Sequence, residues 1–210
     1  MERIYPHPLT GATFARGLRI LSRRDPALSR IVKDCGPPPM WNRRPGFSTL
    51  LHIILEQQVS LASARAAFDR LRAAASPLTP ARFLEFDDAR LKAIGFSRQK
   101  TAYGRHLSRA ILEKRFNPAA LKKMNDATAR DELLKLKGVG PWTADIYLLM
   151  ALRRPDVWPS GDLALAVAVQ RVKRLRARPT PEEMEAIGAA WQPWRAVAAR
   201  VLWHYYLSGR

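Results

Sequence analysis

Gly138 and Gly140, with Val139 between them, interrupt an otherwise helical pattern, and of all the glycines their spacing best suits a ligand. Glycine serves where the backbone must take a positive φ or come close to another molecule. The pattern predicts one helix over 132–136, started near Thr128 and Asp131, and a second, apolar helix over 142–152. A tight Gly-x-Gly turn between them lets the free N–H groups of the second helix point back into the turn. Together with the helix dipole they suit a phosphate. Lys135 and Lys137 flank the turn with positive charge. On spacing alone the same residues fit a plain helix C-cap and short loop even more readily. Asp162 is the second candidate. It opens a predicted helix over 163–174, where aspartate caps well and where a fixed carboxylate is available for chemistry.

Helices must position both features. Mixed helical patterns cover 9–22 and 26–34, and the proline-rich stretch 35–46 reads as a loop. Ser48 is the expected cap of the next helix. Leu50, Leu51, Ile54, Leu55 and Val59 mark its core-facing side, and it ends or bends near Gln57 and Gln58. Asp88 starts a short helix ending at Gly95, and Ser97 starts another through Glu113. Thr180 followed by Pro181 is a helix start with threonine at the cap. No strand-like alternation is sustained, no repeat is visible, and no linker divides the chain. The expectation is an all-α fold forming a single helical domain over 1–210.

With 210 residues and 47% hydrophobic content, the chain can fill a core. Its formal charge of +18 suits a polyanionic partner held by counterion release, with nucleic acid the natural candidate. The basic residues spread over the whole chain, which argues against a membrane partner. No apolar run has spanning length, and the N-terminal stretch MERIYPHPLTG lacks a signal-peptide core. A cytoplasmic protein is expected. Cys35 is the only cysteine and is read as a buried small hydrophobe in place of a nucleophile, and neither an intrachain disulfide nor a four-cysteine iron–sulfur cluster is available. His7, His52, His106 and His204 lack metal-ligand spacing. No metal and no cofactor are expected.

The string LKGVGPWTA from Leu136, followed by WPSGD ending at Asp162, resembles the helix-hairpin-helix DNA glycosylase superfamily, and within it the 3-methyladenine DNA glycosylase II branch. IILEQQVS from Ile53 is similar to the family's first core helix and DNA-wedge turn. The stretch from Trp191 through Trp203 resembles its last helix. The likeness covers roughly 47–207 in the family's order, with the hairpin motif at about 128–153. It implies two helical lobes around a cleft for DNA and the base, a minor-groove approach, base flipping and hydrolysis of the N-glycosidic bond. The additional N-terminal sheet domain of longer relatives is not expected.

Base removal passes through a sugar cation that a carboxylate near C1′ can stabilise, while the same carboxylate orients or deprotonates water. The resemblance gives Asp162 that role. Bifunctional relatives carry a lysine where this chain has Trp142, so a monofunctional enzyme that leaves an abasic site is expected. Alkylation makes a purine cationic, which favours aromatic walls. By resemblance Trp142 and Trp203 flank the extruded base. Leu163, with Ala164, leaves a less aromatic pocket floor than tyrosine would. Trp191 and Trp194 are read as structural, with Pro193 setting how the last helix begins.

Glu56 departs from the family pattern. It is expected either to read a base such as 3-methylcytosine or 1-methyladenine, or to be an exposed glutamate paired with a nearby arginine. Gln57 and Gln58 occupy the wedge turn, with Gln58 the wedge candidate. DNA contact is expected of Gly138, Val139, Gly140, Thr143, Lys137 and these two glutamines. Arg98, Lys100 and Arg105 are further candidate phosphate contacts, or a solvated face. The expected partner is double-stranded DNA with alkylated bases, including 3-methyladenine and 7-methylguanine, bound by a monomer. A noncatalytic hairpin DNA-binding protein and an excision enzyme for oxidised or mismatched bases are the alternatives.

Overall fold

The computed structural model describes residues 7–209. Met1–Pro6, part of the stretch read for a signal peptide, and Arg210 lie outside them. Among the described residues every regular element is helical, and no helix is long and apolar enough to cross a membrane. The chain divides into two compact units, Met1–Asn42 with Leu148–Arg210, and Arg43–Tyr147.

The discontinuous unit begins with α1 (Gly11–Arg24) and α2 (Pro26–Cys35), joined through Asp25. The Asp25 carboxylate caps α2, accepting from the N–H groups of Ala27 and Leu28. It also takes hydrogen bonds from Lys173 Nζ at 2.7 Å and Trp191 Nε1 at 2.9 Å. One aspartate thus links three stretches of the unit. Cys35, expected to be buried, is only half-buried, with its thiol 3.8 Å from Ser208 Oγ.

The continuous unit starts with α3 (Phe47–Glu56). Its cap is Gly46 and not the expected Ser48, because Ser48 already lies inside the first turn. Leu50, Leu51, Ile53, Ile54 and Leu55 are fully buried, so α3 runs through the middle of this unit's core. Val59, expected on that core face, lies beyond the helix end and is 46% exposed. α4 (Leu61–Ala74) follows, capped by Ser60. It buries Ala64, Ala67, Phe68 and Leu71. Next come α5 (Pro80–Leu84), α6 (Asp88–Ile94) and α7 (Arg98–Leu112). Gly95 ends α6 in the left-handed conformation and Ser97 caps α7, as their types predict.

After a 3₁₀ turn at Ala120–Lys123 come α8 (Asp126–Leu134) and α9 (Pro141–Met150). α8 starts earlier than the sequence pattern suggested. Asn125 caps it by accepting from Thr128 N, so Thr128 sits within the first turn and is not the cap.

The chain re-enters the discontinuous unit at Leu148, near the end of α9, and continues with α10 (Leu163–Lys173), α11 (Pro181–Ala189) and α12 (Arg195–Leu207). Thr180 and Glu183 form a full capping box at the start of α11. The fully buried Arg200 on α12 has carbonyl acceptors in place of a carboxylate. It donates to Met40 O, Ala196 O and Leu149 O at 2.8–2.9 Å. Burial without a counter-charge pushes its pKa down to about 10. The three carbonyls give each guanidinium nitrogen an acceptor, and together they tie the last turn of α9, the foot of α12 and the loop after α2.

Candidate active site and nucleic-acid interface

In the continuous unit the hairpin between α8 and α9 closes with Val139 N donating to Leu136 O at 3.0 Å and Ala144 N donating to Gly140 O at 3.0 Å. The two glycines serve different ends. Gly138 has φ +88, and a Cβ there would lie 2.2 Å from the Tyr103 ring, so conformation and packing both demand glycine. A Cβ at Gly140 would meet nothing within 4 Å, and the residue is exposed. What its type gives is a bare backbone open to a close neighbour, as a phosphate would be. Lys137 is exposed beside it, while Val139 is buried and serves the core. Lys135, expected to flank the turn as free positive charge, is ion-paired with Glu132. Arg130 on α8 and Asp145 on α9 brace the hairpin from behind through Nε–Oδ1 at 2.7 Å and Nη2–Oδ2 at 3.3 Å. The sequence reading missed that pair.

Gln57 and Thr143 do not present their polar atoms outward as expected. Thr143 is 2% exposed. The Gln57 amide donates to Gly138 O at 2.8 Å and to Thr143 Oγ1 at 2.9 Å, so the two residues brace the hairpin from within. Gln58 fits its expected place better. It is exposed, and its φ of +55 is a left-handed conformation that turns the chain sharply.

Glu56 is buried, and its carboxylate is gripped by Arg43 through Nη1–Oε2 at 2.9 Å and Nη2–Oε1 at 2.7 Å. The bidentate fork satisfies a carboxylate that would otherwise be too costly to bury, so the expected arginine pair is present but the expected exposure is not. An arginine partner was foreseen; burial was not. His52, one turn earlier, stacks on Phe68 with centroids 4.0 Å apart. Burial lowers its pKa, outweighing the pull of Glu56.

Two of the candidate phosphate contacts on α7 are also committed internally. Lys100 Nζ donates to Leu55 O at 2.7 Å, and its burial lowers its pKa. Arg105 donates to Phe86 O and pairs with Asp88. Arg98 stays exposed. Trp142 is half-buried in the first turn of α9.

In the discontinuous unit Asp162 is the N-cap of α10, as its position predicts, and is 8% exposed. Its Oδ1 accepts from Leu165 N at 2.8 Å and from Trp203 Nε1 at 3.0 Å. A carboxylate held at a helix N-terminus by two N–H donors keeps its negative charge in one orientation. The structure therefore gives Trp203, itself 8% exposed, a polar contact with Asp162 that a purely stacking role does not include. Leu163, next in the chain, is 60% exposed and leaves an apolar surface beside the carboxylate.

The loop carrying Asp162 is anchored by contacts that the sequence does not show. Trp158 is buried, donates Nε1–H to Met184 O at 2.9 Å, and packs edge-on against Trp191 with centroids 5.2 Å apart. Asp156 takes the Arg195 guanidinium in a two-point pair at 2.9 and 3.0 Å. Both tryptophans of the first contact stand in the motifs that carry the family resemblance, but nothing in the sequence pairs them. Nothing local signalled the second. Among the described residues no group of three or more histidine, cysteine or carboxylate side chains is placed to hold a metal ion.

Comparison with known proteins agrees with this arrangement. The alkylbase DNA glycosidase-like protein mag2 of Schizosaccharomyces pombe is 28% identical over 90% of this chain and 92% of its own length. The structure of the 3-methyladenine DNA glycosylase Mag1 of the same organism, in complex with abasic DNA, superposes with a TM-score of 0.84 at 25% identity, covering 90% of this chain and 95% of that one. YfjP of Bacillus subtilis is 28% identical over 84% of this chain, which spans 64% of the YfjP length. Residues 51–194, which hold both the hairpin and Asp162, match the family profile described as HhH-GPD superfamily base excision DNA repair protein. The chain belongs to the HhH-GPD superfamily of base excision DNA repair proteins.

Proposed function

We propose that this chain is a monofunctional DNA glycosylase that extrudes alkylated bases from double-stranded DNA and hydrolyses their N-glycosidic bond, leaving an abasic site. The observation that carries this reading is the Asp162 carboxylate, capped onto α10 and fixed by Trp203. As the bond from C1′ to the base breaks, the bonding electrons leave with the base and the sugar becomes cationic. Asp162 stabilises that charge and takes a proton from the water that adds to C1′. A base alkylated at N3 or N7 departs as a neutral molecule, so it needs little help from an acid. Trp142, where a lyase would carry lysine, offers an electron-rich face to a cationic base and no amine for a Schiff base. Affinity for undamaged DNA comes from the +18 charge and from the hairpin backbone at Gly140 with Lys137. The names of mag2 and Mag1 support the alkylated substrate class. The protein acts as a monomer in this reading.

The test is incubation with methylated duplex DNA, with chromatography of the released bases and electrophoresis of the strands. Free 3-methyladenine or 7-methylguanine, with strands intact until alkali, is the expected result. Strand cleavage without alkali contradicts the monofunctional assignment. Tight DNA binding with no base released favours a noncatalytic hairpin protein.

A further inference from the structure

The turn after α3 and the α8–α9 hairpin are separated in sequence yet joined by one side chain. Gln57 ends α3 with φ −61 and ψ 126. Both hydrogens of its amide are spent on the hairpin, on Gly138 O at 2.8 Å and Thr143 Oγ1 at 2.9 Å. α7 supports the same junction. Lys100 Nζ holds Leu55 O near the end of α3, while the Tyr103 ring lies against Gly138 with its hydroxyl bonded to Gln99 Nε2 at 2.6 Å. Directly past Gln57 the chain becomes fully outward. Gln58 is left-handed and exposed, and Val59 and Leu61 are 46% and 59% exposed. Apolar side chains held out beside a constrained turn suit insertion into a base stack.

We propose that Gln57 is a positioning residue that sets the offset between the exposed turn Gln58–Leu61 and the phosphate-facing hairpin, so that one duplex engages both at once. The hairpin then fixes the backbone while the turn enters the gap left by the displaced nucleotide. An error of about 1 Å in such an offset is enough to degrade productive geometry. This inference rests on the glycosylase reading above.

The test is equilibrium binding to two duplexes, one intact and one carrying a tetrahydrofuran abasic analogue. Wild type, Gln57→Ala, Gln58→Ala and the double variant are compared, with circular dichroism confirming the fold. Gln57→Ala is expected to weaken binding to the abasic duplex by about tenfold and to the intact duplex by less than about threefold, because phosphate contacts alone supply the latter. Gln58→Ala is expected to cost affinity for the abasic duplex alone, and to add nothing once Gln57 is alanine. If the Gln57 and Gln58 penalties multiply, or if Gln57→Ala binds like wild type, the positioning role is overturned while the glycosylase reading stands. If wild type itself does not prefer the abasic duplex, the positioning role is overturned, and base release from methylated duplex decides the glycosylase reading separately. Should Gln57→Ala fail to fold, Thr143→Val removes one of the two acceptors and must reproduce a smaller version of the same duplex-selective loss.

Discussion

Replacing Trp203 with phenylalanine separates two roles for this residue. Phenylalanine keeps a ring face for stacking but lacks the N–H that reaches Asp162 Oδ1 at 3.0 Å. Both residues are 8% exposed, so water is poorly placed to replace the donor. A hydrogen bond to a charged group contributes about 1.5–3 kcal/mol. At about 1.4 kcal/mol per tenfold in rate, freeing the carboxylate to leave its productive orientation slows excision by about 10- to 150-fold. The Leu165 N–H still caps the same oxygen at 2.8 Å, which places the expected loss toward the lower end. Single-turnover base release from methylated duplex, with binding to an abasic duplex measured in parallel, reads the effect. The expected result is slow release with near-normal binding. Release at the wild-type rate would refute the orienting role and return Trp203 to stacking alone.

Two further perturbations test the supports of the site. Arg43→Ala strands the Glu56 carboxylate, whose side chain is 5% exposed. Removing one partner of a buried pair costs about 3–5 kcal/mol, and the double variant Arg43→Ala/Glu56→Gln should recover part of the lost melting temperature. A double variant no more stable than the single one contradicts the pairing account. Burial of Asp25 raises its pKa, but the hydrogen bonds from Lys173 and Trp191 outweigh burial and hold it below 3.8. A carboxylate with its folded-state pKa depressed stabilises the fold above the unfolded value and loses that contribution as pH falls through the folded one. Asp25→Asn should therefore lower the melting temperature well above pH 3.8, by a margin that shrinks as the pH is taken below it. An equal margin at both ends, measured by thermal unfolding, contradicts that linkage.

Local chemistry was largely legible in the chain. The caps at Ser97, Asp162 and Thr180 and the stop at Gly95 follow from residue type and from neighbours within a turn. α4 carries a weak sequence signal because two of its four buried residues are alanine, which contrasts little with its outer face. What the sequence could not supply were partners far along the chain. Gln57 and Thr143 read as surface contacts because a polar residue near a DNA motif looks exposed until its hydrogen-bond partner is seen 81 or 86 residues away. The burial of Glu56 is not legible for the same reason, since the fork from Arg43 that makes it affordable forms only once the loop is folded back. Asp162 and Trp203 were each picked by resemblance, but the bond between them was not.

The most direct test of the account is Asp162→Asn. Asparagine caps helices about as well as aspartate, and its carbonyl oxygen can still accept from Leu165 N and Trp203 Nε1, so the fold and DNA affinity should persist. What is lost is the negative charge that meets the sugar cation. Single-turnover release of methylated bases should fall by about 100- to 1000-fold while binding to an abasic duplex stays near wild type. An asparagine variant that is stable, binds DNA and releases bases at the wild-type rate would contradict the assignment of Asp162 as the catalytic carboxylate.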